Sequence, residues 1–188
     1  SIISGQGQRD DNLSLGVGGE GSDCGSFGVD HFKRGTFQGD DSPFLILDNL
    51  QDSGNIGTII RTCDALGIDG VILSPDCADI YSPKIVRSAM GSLFRLPVII
   101  ADLTETIAFM KQNGFSVYSA VLDETAQSIT AVTLGANTAV VIGNEGNGVS
   151  AAVTEACGKK LYIPISGAES LNAAVAASII SWEMTRRQ

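Results

Sequence analysis

Three short stretches of this chain hold polar groups suited to gripping a ligand. They are 49–61 with Asn49, Asn55 and Arg61, 143–150 with Asn144 and Glu145, and 166–172 with Ser170 and Asn172. Each mixes glycine with amide, hydroxyl or carboxylate side chains directly after an apolar run. Singly, each is an ordinary loop; three at the ends of strands in one small sheet can converge on a site. The chemistry they offer is hydrogen bonding and charge, not metal or histidine catalysis. His31 is the single histidine and sits in a polar region, so a solvated role suits it better than a triad. Cys24, Cys63, Cys77 and Cys157 form no C-x-x-C pair, so free thiols in a reducing cytoplasm account for them better than zinc or disulfides. Gly143-Asn144-Glu145-Gly146-Asn147-Gly148 has the spacing G-x-x-G-x-G, not the dinucleotide fingerprint, and no Walker-type phosphate loop occurs.

The elements that must position these groups follow from periodicity. Phe44–Leu47, Val71–Leu73, Leu96–Ile100, Phe115–Val121, Thr138–Ile142 and Leu161–Ile163 read as buried strands. Between them, Ile56, Ile59, Ile60, Cys63 and Leu66 mark one face of a helix ending at Gly67. Further helices are predicted over Lys84–Ala89 behind Pro83, over Leu103–Gln112 and over about Ser150–Ala156. The last predicted helix, Leu171–Arg187, has Ser170 where an N-cap belongs. Leu171, Val175, Ile179 and Trp182 line one of its faces; Ala173, Ala177, Ile180 and Met184 line the other. A helix apolar on nearly all sides is expected to be buried. Alternating strands and helices imply an α/β domain with a mainly parallel sheet covered by helices on both faces. Ligands in such sheets bind beyond the strands' carboxyl ends.

The chain has 188 residues, 44% hydrophobic and 18% charged, enough for one substantial domain. Residues 1–41 are rich in Gly, Ser, Asp and Gln and lack a period, so they read as an irregular N-terminal arm or the remnant of an N-terminal module. Beginning at Ser1 rather than Met, the chain reads as processed or as a fragment. No apolar run reaches the roughly 18 residues of a membrane span, and no secretory signal is evident, so a cytoplasmic location without membrane contact is expected. The net charge of -9 argues against broad attraction to nucleic acid. A local basic surface from Arg61, Lys84, Arg87, Arg95, Lys159, Lys160, Arg186 and Arg187 stays open, as does a scatter of solvated charges.

Together the three segments resemble a known family. Asp52-Ser53-Gly54-Asn55-Ile56-Gly57 through Arg61-Thr62 is similar to its first motif, and Ile142 through Ser150 to its second. Ile163-Pro164-Ile165 with Ser170-Leu171-Asn172 and Val175-Ala176 is similar to its third. Ser82-Pro83 through Arg87-Ser88-Ala89-Met90-Gly91-Ser92 resembles a supporting segment. The family is the SpoU-type (TrmH-like) RNA ribose methyltransferases of the knotted SPOUT class, and the resemblance runs over about Pro43 to Gln188. Ser53 stands where the family commonly has Pro, and Ala174 where it commonly has a small hydroxyl residue.

The resemblance implies methyl transfer from S-adenosylmethionine (AdoMet) to a ribose 2′-hydroxyl of tRNA or rRNA. It also implies a C-terminal trefoil knot, a homodimer whose active site draws on both chains, and no metal. Asn55, Arg61, Glu145, Ser170 and Asn172 take the catalytic places. Arg61 would stabilise the developing oxyanion or contact phosphate, a structural ion pair with Glu145 being the other role open to it. Asn55 would orient Arg61 or the ribose, or cap its helix. Ala120, Val121, Leu122, Gly143, Asn144, Gly148, Ile163, Ile165, Leu171 and Asn172 would form the AdoMet cleft. The final helix becomes a candidate dimer surface. The competing possibility is a noncatalytic RNA-binding or assembly protein that keeps the knotted fold.

Overall fold

The computed structural model describes residues 42–135, 137–167 and 170–186. The N-terminal arm, with His31 and Cys24, lies outside the described residues. The strands are β1 (Phe44–Leu47), β2 (Gly70–Leu73), β3 (Val98–Ile100), β4 (Ser116–Ala120), β5 (Gln127–Ser128), β6 (Thr138–Ile142) and β7 (Lys159–Tyr162). They form one sheet in the order β3-β2-β1-β6-β4-β7-β5, and every pairing is parallel. Five α-helices are described: α1 (Ser53–Leu66), α2 (Pro83–Ser88), α3 (Leu103–Gln112), α4 (Ala151–Cys157) and α5 (Ala173–Thr185).

Alternation along the strands builds the two layers. In β1, Leu45 and Leu47 face a core shared with Ile56, Ile60 and Cys63 of α1 and Ala177, Ile180 and Met184 of α5. Phe44 and Ile46 face the other way, against Leu103, Ile107 and Met110 of α3 and Val153 and Cys157 of α4. All four β1 residues are fully buried, as a parallel strand covered on both faces requires. The predicted α/β class and the sheet covered on both faces are thus observed.

The helix ends follow their capping residues. Asp52 caps α1 by accepting from the Asn55 N–H, and Gly67 closes it at φ 78°. Asp102 caps α3 in the same way through the Glu105 N–H. Pro83 opens α2 as expected. Helix α2 crosses α1 at Gly57, where a Cβ would overlap the Ser88 hydroxyl.

Several boundaries differ from expectation at the end of the chain. The last strand is Lys159–Tyr162, and Ser170 is not the cap of the last helix. Asn172 is the cap, its Oδ1 accepting from the N–H groups of Ala174 and Val175. The short edge strand β5 was not anticipated, because two residues are too few to carry a period. Helix α5 is buried on one side only: Val175 and Trp182 are 48% and 57% exposed. The eight basic residues do not form a single patch. Lys160 pairs with Asp123 and Arg186 with Glu183, Lys159 stacks over Tyr118, and Arg187 is outside the described residues.

Candidate active site

The first two polar segments are tied together at the carboxyl ends of β1 and β6. Asp48, at the end of β1, is buried and accepts from the Ser150 N–H at 2.7 Å. Asn49 sits at φ 53°, and its carbonyl accepts from Asn144 Nδ2 at 2.8 Å. The Asn144 Oδ1 in turn accepts from the Gly146 N–H at 2.8 Å, and Asn144 and Gly148 exchange both backbone hydrogen bonds. The loop is drawn so tight that a Cβ at Gly143 would overlap the backbone of Gly148 and Val149. Gly143 must therefore be glycine, and Asn144 organises the loop with nearly all of its polar atoms.

The three segments meet in a hydrogen-bonded chain. Asn55 Nδ2 donates to Glu145 Oε1 at 2.6 Å, and Asn172 Nδ2 donates to Asn55 Oδ1 at 3.1 Å. The two ends fix both amide orientations. A carboxylate can only accept, so it demands the Asn55 NH2. The α5 N-terminus can only donate, so it demands the Asn172 oxygen and turns its NH2 towards Asn55. The chain Asn172–Asn55–Glu145 therefore has one consistent arrangement. Beside it, the Asn55 backbone N–H is the main cause of the lowered pKa of the Asp52 carboxyl, with Lys84 at 3.5 Å contributing less.

Behind this chain opens a cleft of about 460 Å³, within the usual range for small-molecule sites. Ala120, Val121, Leu122, Gly143, Asn144, Gly148, Ile163, Ile165 and Leu171 all line it, with Glu145 and Ser170 at its polar side. Ile142, Asn147, Val149, Tyr162, Ala173 and Ala176 line it too. Asn147 apart, these are apolar walls, which have no distinctive residue signature in the sequence. Asn172 is not part of the lining; it faces Asn55. Among the described residues no cluster of His, Cys, Asp or Glu could hold a metal.

Arg61 stands apart. It lies exposed on α1, makes no hydrogen bond or ion pair among the described residues, and does not line the cleft. The ion pair with Glu145 that was open to it is not formed; Glu145 holds Asn55 instead. Ser170 has no hydrogen-bond partner among the described residues either. Asp48 was missed as an anchor, although a carboxylate closing a wholly apolar strand was a signal that it has a backbone partner.

A parallel α/β sheet whose last strand and helix fold back over a small-molecule cleft, closed by amide and carboxylate side chains, defines a ligand-binding α/β protein of the strand-end type. The profile of the SpoU rRNA Methylase family matches residues 42–182. The chain belongs to that family. It is 42% identical over 141 residues to the 23S rRNA (guanosine(2553)-2′-O)-methyltransferase RlmP of Bacillus subtilis, covering 74% of this chain and 56% of that protein. Among solved structures it is similar to a putative TrmH-family RNA methyltransferase from Porphyromonas gingivalis, with TM-score 0.73, 38% identity and coverage of 80% and 61%. It is also similar to the SpoU methyltransferase AviRb from Streptomyces viridochromogenes in complex with AdoMet, with TM-score 0.71, 34% identity and coverage of 79% and 61%. The chain spans little more than half the length of the curated relatives it matches.

Proposed function

We propose that this protein is an AdoMet-dependent RNA 2′-O-ribose methyltransferase acting on tRNA or rRNA, with residues 42–188 as its methyltransferase domain. The observation that carries this reading is the Asn172–Asn55–Glu145 chain, which joins all three polar segments at the mouth of the cleft. A protein kept only for RNA binding or assembly would have no use for that polar closure beside a ligand-sized cavity. The cleft fits AdoMet: its walls are apolar where adenine would lie, and the glycine at 143 keeps one wall to bare backbone. Backbone groups of Ala120–Leu122 and Ile163–Leu171 would hold the nucleoside. Bound there, AdoMet supplies an electrophilic methyl group on a sulfonium.

The ribose hydroxyl is a weak nucleophile, so the chain's own residues must align it and ease proton loss. The oxygen forms its bond to the methyl carbon as the carbon–sulfur bond breaks and the electron pair passes to sulfur. The hydroxyl proton leaves to water or phosphate. Asn55, held at both ends, would present its half-buried amide to the ribose, and alignment of this kind contributes on the order of 7 kcal/mol in favourable cases. A guanidinium cannot serve as base, so Arg61 would stabilise the developing oxyanion. Its exposure, with no hydrogen bond or ion pair among the described residues, supports delivery from the partner in a homodimer. The Val175–Trp182 face of α5 supports the same assembly.

The knot belongs to the same proposal. Strand β7 lies between β4 and β5, and the 121–126 connection between those two is clipped to β7 by Lys160–Asp123 at 2.7 Å. Lys160 points away from the face where Leu161 joins the α1/α5 core. A chain that continues from there to α5 on the Leu161 face would make the crossing that threading needs. The free thiols at Cys63, Cys77 and Cys157 support a cytoplasmic location. The test is transfer of labelled methyl from AdoMet to unmodified transcripts of tRNA and 23S rRNA. The wild type should label 2′-oxygens in one pool, and Arg61→Ala should lose transfer by at least about a hundredfold while keeping AdoMet affinity by calorimetry. Undiminished turnover in that variant would remove Arg61 from the mechanism; labelling of neither pool would overturn the activity.

A further inference from the structure

We propose that the outer face of α2 and the turn following it receives the single-stranded RNA that flanks the target nucleotide, with Tyr81 and Phe94 as stacking platforms and Arg87 as a phosphate contact. The inference takes its ligand class from the RNA methyltransferase reading. It starts from exposure: Tyr81, Met90 and Phe94 are 74%, 67% and 76% exposed. Three large apolar side chains within fourteen consecutive residues, 81–94, stand free of a core that buries their neighbours Ile80, Ile85 and Leu96. Met90 moreover holds φ 50°, a left-handed conformation that a non-glycine residue adopts only under constraint.

Charge selects the partner. In a chain of net charge -9, residues 81–95 carry Lys84, Arg87 and Arg95 and not one acidic residue. The carboxylates around them are accounted for. Asp52 pairs with Lys84 at 3.5 Å and Asp64 with Arg95 at 2.6 Å; Asp79 accepts from the Tyr81 N–H. Arg87 has no ion pair among the described residues and offsets the charge that Asp79 keeps. Arg61, exposed between those contacts, tips the balance to positive: Gly54, Gly57, Arg61 and Asp64 recur at helical spacing on the side of α1 that meets α2 and Arg95. Exposed aromatic side chains interleaved with arginine on a positive face suit single-stranded nucleic acid, where bases stack on rings and phosphates meet guanidinium groups. A second copy of this acidic chain would find the charge complementary as well, but not the ring-and-arginine alternation.

Placement relative to the site gives the face its use. Lys84 at the first turn of α2 contacts Asp52, and Asp52 holds the Asn55 N–H at 2.7 Å. The face thus begins beside Asn55, on the side away from the cleft, because β1 and β2 precede α1 and α2 while β6, β4 and β7 carry the cleft. A ribose seated at Asn55 would have the cofactor cleft on one side and the first turn of α2, at Lys84, on the other.

The test uses the 188-residue protein and a fluorescein-labelled single-stranded RNA 12-mer of mixed sequence, read by anisotropy from 50 to 200 mM salt. AdoMet calorimetry and light scattering are run on the same samples. Tyr81→Ala and Phe94→Ala should each weaken RNA binding by at least about fivefold. Arg87→Ala should reduce the salt slope by about one. AdoMet affinity and oligomeric state should not change. Undiminished affinity in the Tyr81→Ala/Phe94→Ala double variant, or no 12-mer binding by the wild type, would overturn the proposal. A change of oligomeric state in the double variant would also overturn it and assign the face to a second copy. Failure of the wild type to bind AdoMet, with the RNA pattern intact, would remove the methyltransferase reading and leave the RNA surface standing.

Discussion

At the scale of single residues, Asn172 carries two separable duties. Its oxygen caps α5 and its NH2 orients Asn55. Asn172→Ala removes both and should cost about 1 kcal/mol of stability from the lost cap. Asn172→Asp keeps an acceptor for the Ala174 and Val175 N–H groups but replaces the donor with a carboxylate facing the Asn55 oxygen. We expect its melting temperature to stay near wild type while turnover falls by about five- to a hundredfold, the range for an unsatisfied partner of about 1 to 3 kcal/mol. Thermal melts beside methyl-transfer rates measure the two duties independently, and wild-type turnover in Asn172→Asp would remove the amide chain from the site. The sequence identified the residue types in this chain but misassigned the cap. Ser170 and Asn172 are both good N-cap residues, and only the course of the backbone decides between them.

At the scale of elements, the α1–α5 contact carries a pH dependence. Cys63 of α1 is fully buried, with its sulfur 3.8 Å from the Ser181 hydroxyl of α5. Burial pushes its thiol up to about 12, and that of Cys157 on α4 up to about 12 as well. Both values lie above the ordinary 9.0, so the folded protein keeps protons that the unfolded chain releases. This stability is fully present below about pH 9 and is lost as pH rises towards about 12, by up to about 1.4 kcal/mol per pH unit for each thiol. Melting temperature should therefore fall from pH 9 upward, and more gently in Cys63→Ala/Cys157→Ala. Equal slopes in the two proteins would show that other groups govern the alkaline limit. Both thiols should also resist disulfide reagents at pH 8 until the protein is unfolded. The elements themselves were largely legible: α3 and β6 have the expected bounds because each has a clear period and a capping or turn residue at its limits. Strand β5 was not, since pairing with β7 alone defines it.

At the scale of the whole molecule, α5 shows what one chain's sequence can and cannot say. Its all-round apolarity predicted burial, yet in a single chain the Val175–Trp182 side faces solvent. Both are reconciled if a second copy covers that side, since a large exposed apolar face marks an association surface. The site points the same way. Asn55, Glu145, Asn172 and Ser170 gather within one chain, whereas Arg61 is left without a partner among the described residues. A site assembled from two chains would need Arg61 to be free in each of them. Trp182→Glu places a charge in the centre of the proposed interface, where burial without a partner is costly. We expect this variant to run as a monomer by light scattering and to lose methyl transfer, although Trp182 lines no part of the cleft. It should still bind AdoMet, because a single chain already walls a cleft of ligand size. Dimeric Trp182→Glu with full activity would place the interface elsewhere. A monomer with full activity would show that each Arg61 serves its own chain.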